Sequence, residues 1–421
     1  MRTLLERIAP ARLGSSYRWL LASSWTSNLG DGVFVAAGPL LVASLTSSPF
    51  LVSLAALLRW APPLVFSLTA GVLSDRLDRR RIVIVADGSR VVVLAALVGL
   101  LLTHRLSPAA ALIGFGLLAT AEVFADNTTA TLPPMLVHRD DLALANSRLF
   151  FGFATVNQLI GPALGASLFA LGRNWPFASQ AVLVAAGVLL VARVRLPAHG
   201  REAGEARRSV RHEIAEGLRW TLRHAAVRTL ILTILIFNVT FGAAWSVLVI
   251  YAERRLGLGA IGFGLITVVS ALGGILGTVT YGWITRRISL GNLMRIGLII
   301  ETFTHLTLAL TTVPWVAMVI FFVFGAHAFV WGTTSVTIRQ RAIPSELQGR
   351  VNSLNTIGVF GGLVVGSVVG GALATHFGVT APFWFAFVGS ALFVVLLWRQ
   401  FTHIAHNDEQ AVEPDLQPAQ T

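Results

Sequence analysis

The sequence predicts an all-α membrane protein with twelve transmembrane helices arranged as two six-helix bundles that repeat one another. Three observations lead there. Of 421 residues, 55% are hydrophobic and 12% are charged, and the mean hydropathy is +0.73; an ordinary soluble domain carries about 25% charged residues. Apolar stretches long enough to cross a bilayer recur along the whole chain. Arginine is distributed between those stretches with a strong bias to alternate connections.

A spanning helix needs roughly 20 mainly apolar residues. Such stretches fall at 19–45, 50–74, 82–103, 108–131, 142–171 and 175–194, and again at 227–251, 261–284, 290–311, 313–338, 349–376 and 381–398. The turn chemistry of Thr46-Ser47-Ser48-Pro49 separates the first two.

Arginine sets the orientation. With the N-terminus inside, the cytoplasmic segments hold 24 arginines and the outer loops hold only Arg105, Arg173, Arg254 and Arg255. Both termini are therefore expected in the cytoplasm of a cell with this protein in its inner or plasma membrane. The expected organisation is a first bundle at 1–194, a cytoplasmic linker at 195–226, a second bundle at 227–400 and a disordered polar tail at 401–421. Within the linker, Val210, Ile214, Leu218 and Leu222 fall on one helical face. That helix either lies on the inner leaflet or bridges the bundles in water.

Composition also excludes several classes. There is no cysteine, hence no disulfide, thiolate metal site or cysteine nucleophile. All 32 basic residues are arginine, so neither a P-loop nor a lysine Schiff base is available. The net charge of +12 sits in loops between spans, which argues against nucleic acid. Residues 1–18 lack the pattern of a cleavable signal peptide. Gly257-Leu-Gly259-Ala-Ile-Gly262 has dinucleotide-loop spacing without a preceding strand, and His212-Glu213-Ile-Ala-Glu216 fails as a zinc motif. No enzyme activity, cofactor or metal is expected.

The halves echo each other. Gly71 recurs as Gly282, 211 positions on; Pro134 as Pro344, at 210; Asn146-Ser147 as Asn352-Ser353, at 206; Gly161 and Gly165 as Gly366 and Gly370, at 205. Ordered echoes at nearly one spacing indicate a duplicated six-helix unit, a known transporter architecture.

Gly71-Val-Leu-Ser-Asp75-Arg76-Leu-Asp-Arg79-Arg80 resembles the motif between helices two and three of the major facilitator superfamily. Within that superfamily the chain is similar to enterobactin exporters and macrolide-efflux-like proteins. The stretches that carry this are Arg59-Trp-Ala-Pro62, Ala86-Asp-Gly-Ser-Arg90, Leu132-Pro133 with Ala145-Asn146, and Arg341-Ala-Ile-Pro344 with Gly349-Arg350-Val-Asn352. The resemblance implies export of a hydrophobic or siderophore-like compound in exchange for protons. It also implies a latch role for Asp75 and its arginines; separately, the dipole at the N-terminus of helix eleven favours an anion and offers Asp75 a partner. The antiporter motif of helix five survives as Gly161-Pro162 and Gly165, while two earlier family glycines fall on Arg148 and Asn157.

A charge inside the bilayer costs at least ~2.5–3.5 kcal/mol on insertion scales and is a functional candidate by default. The candidates are Asp31, Arg59, Asp87, Arg90, Glu122, Asp126, Arg148, Arg295 and Glu301. At 1.5 Å per residue, Asp31 and Arg59 stand roughly 21 and 18 Å from the inner face, and Arg90 and Glu122 roughly 12 and 9 Å. These depths suggest Asp31 with Arg59, and Arg90 with Glu122, as ion pairs or neighbours in a cavity. Asp31 and then Glu122 lead as proton carriers; permanent salt bridges are the plainer alternative. Gly161, Pro162 and Gly165 serve close packing or a gating bend. Trp25, Asn157, Gln158, Asn238, Phe241, Trp245 and Asn355 are candidates to line a substrate cavity, and His305 and His327 are further polar points in apolar stretches. The expected function is proton-coupled export of a small hydrophobic compound, drug or siderophore by a monomer in lipid. An importer or lipid translocator of the same fold is one alternative, and a non-transporting receptor or scaffold is another.

Overall fold

The computed structural model describes residues 6, 8–196, 218–343 and 348–398. In chain order the spans are α1 Ser15–Leu45, α2 Pro49–Arg76, α3 Arg79–Leu102, α4 Pro108–Thr129, α5 Leu142–Gly152 running on through Phe153–Ile160 and Gly161–Leu171, and α6 Trp175–Val191. After them come α7 Ala225–Trp245, resumed as Leu248–Arg254, then α8 Ala260–Thr285, α9 Leu290–Leu310, α10 Pro314–Ala342, α11 Gln348–Phe377 and α12 Ala381–Leu397. No strand occurs among the described residues.

Side-chain caps fix several of the starts. The Ser48 hydroxyl accepts from the Leu51 amide, with Pro49 in the first turn of α2. Asp78 accepts from Arg81 N at 3.0 Å to open α3, and Ser107 from Ala110 N at 3.1 Å to open α4. Ser289 does the same for α9. Each satisfies an amide that the helix itself leaves unpaired.

Ten helices among the described residues are long and apolar enough to cross a membrane. The sixth and twelfth predicted spans are apolar but shorter: α6 and α12 have 17 residues each, about 25 Å of helix against a core of about 30 Å.

The chain divides into two compact units: Met1–Ala203 with Ser246–Val268, and Gly204–Trp245 with Val269–Thr421. In the first, α1 packs on α5 and α6, α3 on α4 and α6, and α2 on α4. The segment after Trp245 joins this unit, where Arg254 donates to the Ser47 carbonyl at 3.1 Å. In the second unit α7 packs on α11 and α12, and α9 on α10 and α12. Four of the five pairings named for the first six helices thus recur in the second six. So do the caps that open α3 and α9, Asp78 and Ser289, which lie 211 positions apart.

Glycine makes the tightest of these crossings. A Cβ at Gly165 would strike the Val33 carbonyl where α5 meets α1, and one at Gly370 the Ala243 carbonyl where α11 meets α7. Four residues before Gly165, α5 widens into π-helical turns over Phe153–Ile160 that end at Gly161-Pro162. Proline has no amide to donate and its ring crowds the carbonyl four residues back, and a wider turn relieves both.

Of the expected segments, linker residues 197–217, the tail at 401–421 and Pro344 lie outside the described residues. The Asp75 side chain lies outside them as well.

Candidate functional site: two buried charged centres

The first centre is built by α1, α3, α4 and α6. Arg90, on α3, is 1% exposed and forms ion pairs with two carboxylates. One is Asp87, a turn earlier, at 2.9 Å to Nη1; the other is Asp31 of α1, which meets Nη2. Gln180 of α6 donates to Asp31 Oδ1 at 3.4 Å. Asp31 and Asp87 are both buried. The Arg90 Nε has no partner, nor does the Gln180 Oε1.

Two further carboxylates, Glu122 and Asp126, lie one turn apart on α4, and their charges act on Arg90, Asp31 and each other. Asp126 is exposed and Glu122 half-buried. Arg59 on α2 lies over the Trp60 ring at 5.0 Å, and its charge acts on Glu122 and Asp31.

The ion pair therefore forms between Asp31 and Arg90, not between Asp31 and Arg59. Depth counted along vertical helices neglects tilt and the reach of a guanidinium on its long stem. It also says nothing of which helices are neighbours. Four carboxylates surround two guanidiniums here.

The second centre lies in the other unit. Glu301 of α9 is 1% exposed. Its Oε1 is 2.8 Å from His305 Nε2, one turn along, and its Oε2 is 3.5 Å from His327 Nε2 of α10. Both histidines are buried, and His305 Nδ1 has no hydrogen-bond partner. Trp245 stands edge-on to the His305 ring at 6.1 Å. It belongs to a stack in which Phe241 lies 4.4 Å from Trp245, and Phe237 lies 6.0 Å from Phe241 and 5.3 Å from Trp331. The buried Trp331 Nε1 is likewise without a partner.

The remaining candidates take other places. Trp25 donates to the Arg148 carbonyl at 3.1 Å and covers Gly152, which ties α1 to α5. Asn157 is buried in the π-helical stretch and accepts from Gln158 at 2.9 Å. Asn238 donates to the Ile234 carbonyl of its own helix, and Asn355 accepts from the buried Arg339 at 2.6 Å. Arg295 reaches the Trp398 carbonyl at the end of α12, so it does not belong to the buried set. In the loop motif, Arg79 donates to the Ser74 carbonyl and reaches Met135 Sδ, while Arg80 donates to the Ala192 carbonyl. Arg76 is exposed, and a Cβ on Gly71 would meet open space.

Gln180 is the member of the first centre that the sequence did not single out. A glutamine in an apolar span carried a signal, but nothing tied it to Asp31, 149 positions earlier. In the second centre Glu301 and His305 share a helix face at a spacing of four, which the sequence shows. The arrival of His327 from α10 depends on the packing of two helices.

Duplicated bundles of apolar helices that hide ionised side chains in their interiors define a multi-pass membrane transporter of the major facilitator type. The chain matches the transmembrane secretion effector model (MFS_3) over residues 6–420 and belongs to that family. It is 26% identical over 396 residues to the multidrug efflux pump Tap of Mycolicibacterium fortuitum, covering 86% of this chain and 90% of that one. It is 24% identical over 365 residues to the enterobactin exporter EntS of Citrobacter koseri, covering 85% of each. Among solved structures, a bacterial homologue of the iron transporter ferroportin in the inward-facing state superposes with a TM-score of 0.72 at 16% identity, covering 93% of this chain and 98% of that one. The nucleoside transporter NupG superposes at 0.70 and 14%, covering 93% and 99%. At such identities the two structures speak for the fold alone.

Proposed function

We propose that this transporter is a proton-coupled exporter of a small, partly hydrophobic compound that works by alternating access. It acts as a monomer with both termini in the cytoplasm, and α6 and α12 complete twelve spans. Its six-helix bundles, 1–194 and 227–400, are joined in sequence by a cytoplasmic linker at 195–226. The observation that carries the coupling is the surplus of carboxylates in the first centre: Asp31, Asp87, Glu122 and Asp126 around Arg90 and Arg59. The six groups carry two more potential negative charges than positive ones, and with Glu122 half-buried and Asp126 exposed that surplus offers carboxylates that can exchange protons.

In this mechanism Arg90 holds Asp31 and Asp87 ionised in one access state. A shift of α1 or α4 against α3 exchanges the partners of Arg90, and the carboxylate left without a guanidinium takes a proton. Export of the substrate returns that proton to the cytoplasm. The link to efflux rests on the kinship with Tap and EntS. The loop arginines Arg76, Arg79 and Arg80, with Asp75, serve as a latch for one access state, as the family motif implies.

The test is transport in inside-out vesicles with and without an imposed pH gradient. Uptake of a lipophilic drug should need the gradient and collapse when it is dissipated. Asp31→Asn should abolish the gradient-driven component while the protein still reaches the membrane. Gradient-driven uptake at the wild-type rate by that variant removes Asp31 from the mechanism.

A further inference from the structure

A cavity of about 550 Å³ opens at one end of the first unit and shares no lining residue with the Arg90 centre. Three spans contribute their ends: Ser15, Ser16 and Trp19 from the start of α1, Arg80 from the start of α3, and Arg193 and Arg195 from just past the end of α6. Its chemistry is one-sided. Among the described residues, three guanidiniums line it and no carboxylate does.

Each arginine is held in place without an ion pair among the described residues. Arg80 donates through Nη2 to the Ala192 carbonyl, and its buried Nε has no hydrogen-bond partner among the described residues. Arg193 stacks on the Trp19 ring at 4.7 Å. Arg195 is anchored by its backbone amide, which donates to Ser16 Oγ at 3.1 Å, and its exposed guanidinium makes no ion pair among the described residues. The start of α1 points the same way, because Gly14 supplies no side-chain cap.

The nearby acids whose side chains are described are committed elsewhere. Glu6 accepts from Arg18 and from the Ala11 amide; the Arg18 hydrogen bond, more than any other contact, holds its carboxyl below the usual range. Asp78 caps α3, and Asp141 pairs with Arg12 at 3.2 Å. The sequence that follows, 197–210, carries two glutamates against three arginines and is itself basic.

We propose that this cavity binds the phosphodiester headgroup of an anionic phospholipid. Three converging cations need an anion. Guanidiniums match phosphate oxygens in paired hydrogen bonds, and basic pockets between span ends hold lipid headgroups. Because the cavity is made from the ends of three spans, it stands at headgroup depth, and Trp19 is the amphipathic ring typical of that level. A lipid carries its phosphate to that depth with its acyl chains in the adjoining hydrocarbon, which a free anion cannot do. The leaflet is the inner one if the termini are cytoplasmic, as proposed above; binding itself does not depend on that orientation.

The experiment uses the full chain in a neutral detergent and reads lipid occupancy by native mass spectrometry, with thermal unfolding alongside. Phosphatidylglycerol, phosphatidylcholine and inorganic phosphate are added separately. Wild type is compared with the Arg193→Gln/Arg195→Gln double variant and with Arg195→Gln alone; the single change is at an exposed side chain and spares the fold. Phosphatidylglycerol should bind at least tenfold more tightly than phosphatidylcholine. Each arginine removed should weaken it roughly fivefold. Undiminished phosphatidylglycerol binding by both variants would overturn the proposal, as would equal binding of the two lipids. Inorganic phosphate that reproduces the full stabilisation by itself would also overturn it, by making the site one for a free anion.

Discussion

Arg90→Gln should harm this protein far more than Asp31→Asn, and the harm should depend on pH. Arg90 is the shared cation of two buried ion pairs, with Asp87 at 2.9 Å and with Asp31. Its removal strands both carboxylates in an apolar interior, and breaking a buried pair in that way costs ~3–5 kcal/mol. Asp31→Asn is milder, because Arg90 keeps Asp87 and the asparagine still offers a carbonyl oxygen. The loss is then that of one charge-assisted hydrogen bond, ~1–2 kcal/mol. For a unit of this size each kcal/mol moves the midpoint by about 2–4 °C. Arg90→Gln should therefore lower it by about 6–20 °C and Asp31→Asn by about 2–8 °C. Protonation relieves the stranded carboxylates, so the folded variant binds more protons than the unfolded chain. Its stability falls as pH rises, and the deficit should shrink between pH 7.5 and pH 5.5. Thermal unfolding in detergent at the two pH values measures this. Equal losses for the two variants, or an Arg90→Gln deficit that ignores pH, would refute the account of Arg90 as the hub.

Three further outcomes are expected. Gly165→Leu and Gly370→Leu should each abolish the monodisperse peak in size-exclusion chromatography, because the added Cβ runs into the Val33 or Ala243 carbonyl; Gly71→Ala, which meets open space, should stay within about 0.5 kcal/mol of wild type. Glu301→Gln should destabilise the second unit by ~1–3 kcal/mol, since the two histidines lose the carboxylate whose separate oxygens they face. His305→Asn should alter the tryptophan emission of the folded protein, because the His305 ring stands edge-on to Trp245.

How far the sequence reached depends on whether a feature is local. Span positions, the arginine bias and the turn at Thr46-Ser47-Ser48-Pro49 follow from neighbouring residues and were legible, whereas the caps at Asp78 and Ser289 were not read from the sequence. The duplicated unit was legible too, since a repeat needs only two copies of a pattern. The partner of Asp31 was not. Whether a carboxylate on α1 meets an arginine on α2 or on α3 depends on which helices touch and how they tilt, and depth alone put Arg59 nearer to Asp31 than Arg90. The π-helical stretch before Pro162 had a signal in the proline itself, but proline equally permits a kink. His305 could be joined to Glu301 by spacing, while His327 could not, because it lies on the next helix.

The repeat also exposes a difference in chemistry between its halves. Asp78 and Ser289 open α3 and α9 at an offset of 211, and at that same offset Arg90 corresponds to Glu301 and Asp87 to Leu298. On the first helix of each half, Gly32 answers to Gly242 at 210, which places Phe241 opposite Asp31. One scaffold position therefore carries a guanidinium in one bundle and a carboxylate in the other. The carboxylate that pairs with the guanidinium is replaced by an aromatic ring. Around Glu301 the compensating groups are two histidines, which are cationic only when protonated. The first centre has more carboxylates than fixed cations, whereas the second has one carboxylate and only titratable partners. Selection for packing alone would have kept both positions apolar, as Leu298 shows for one of them. Opposite charges at matched places, each buried and each paired, mark the two interiors as having diverged under different chemical demands on a shared frame.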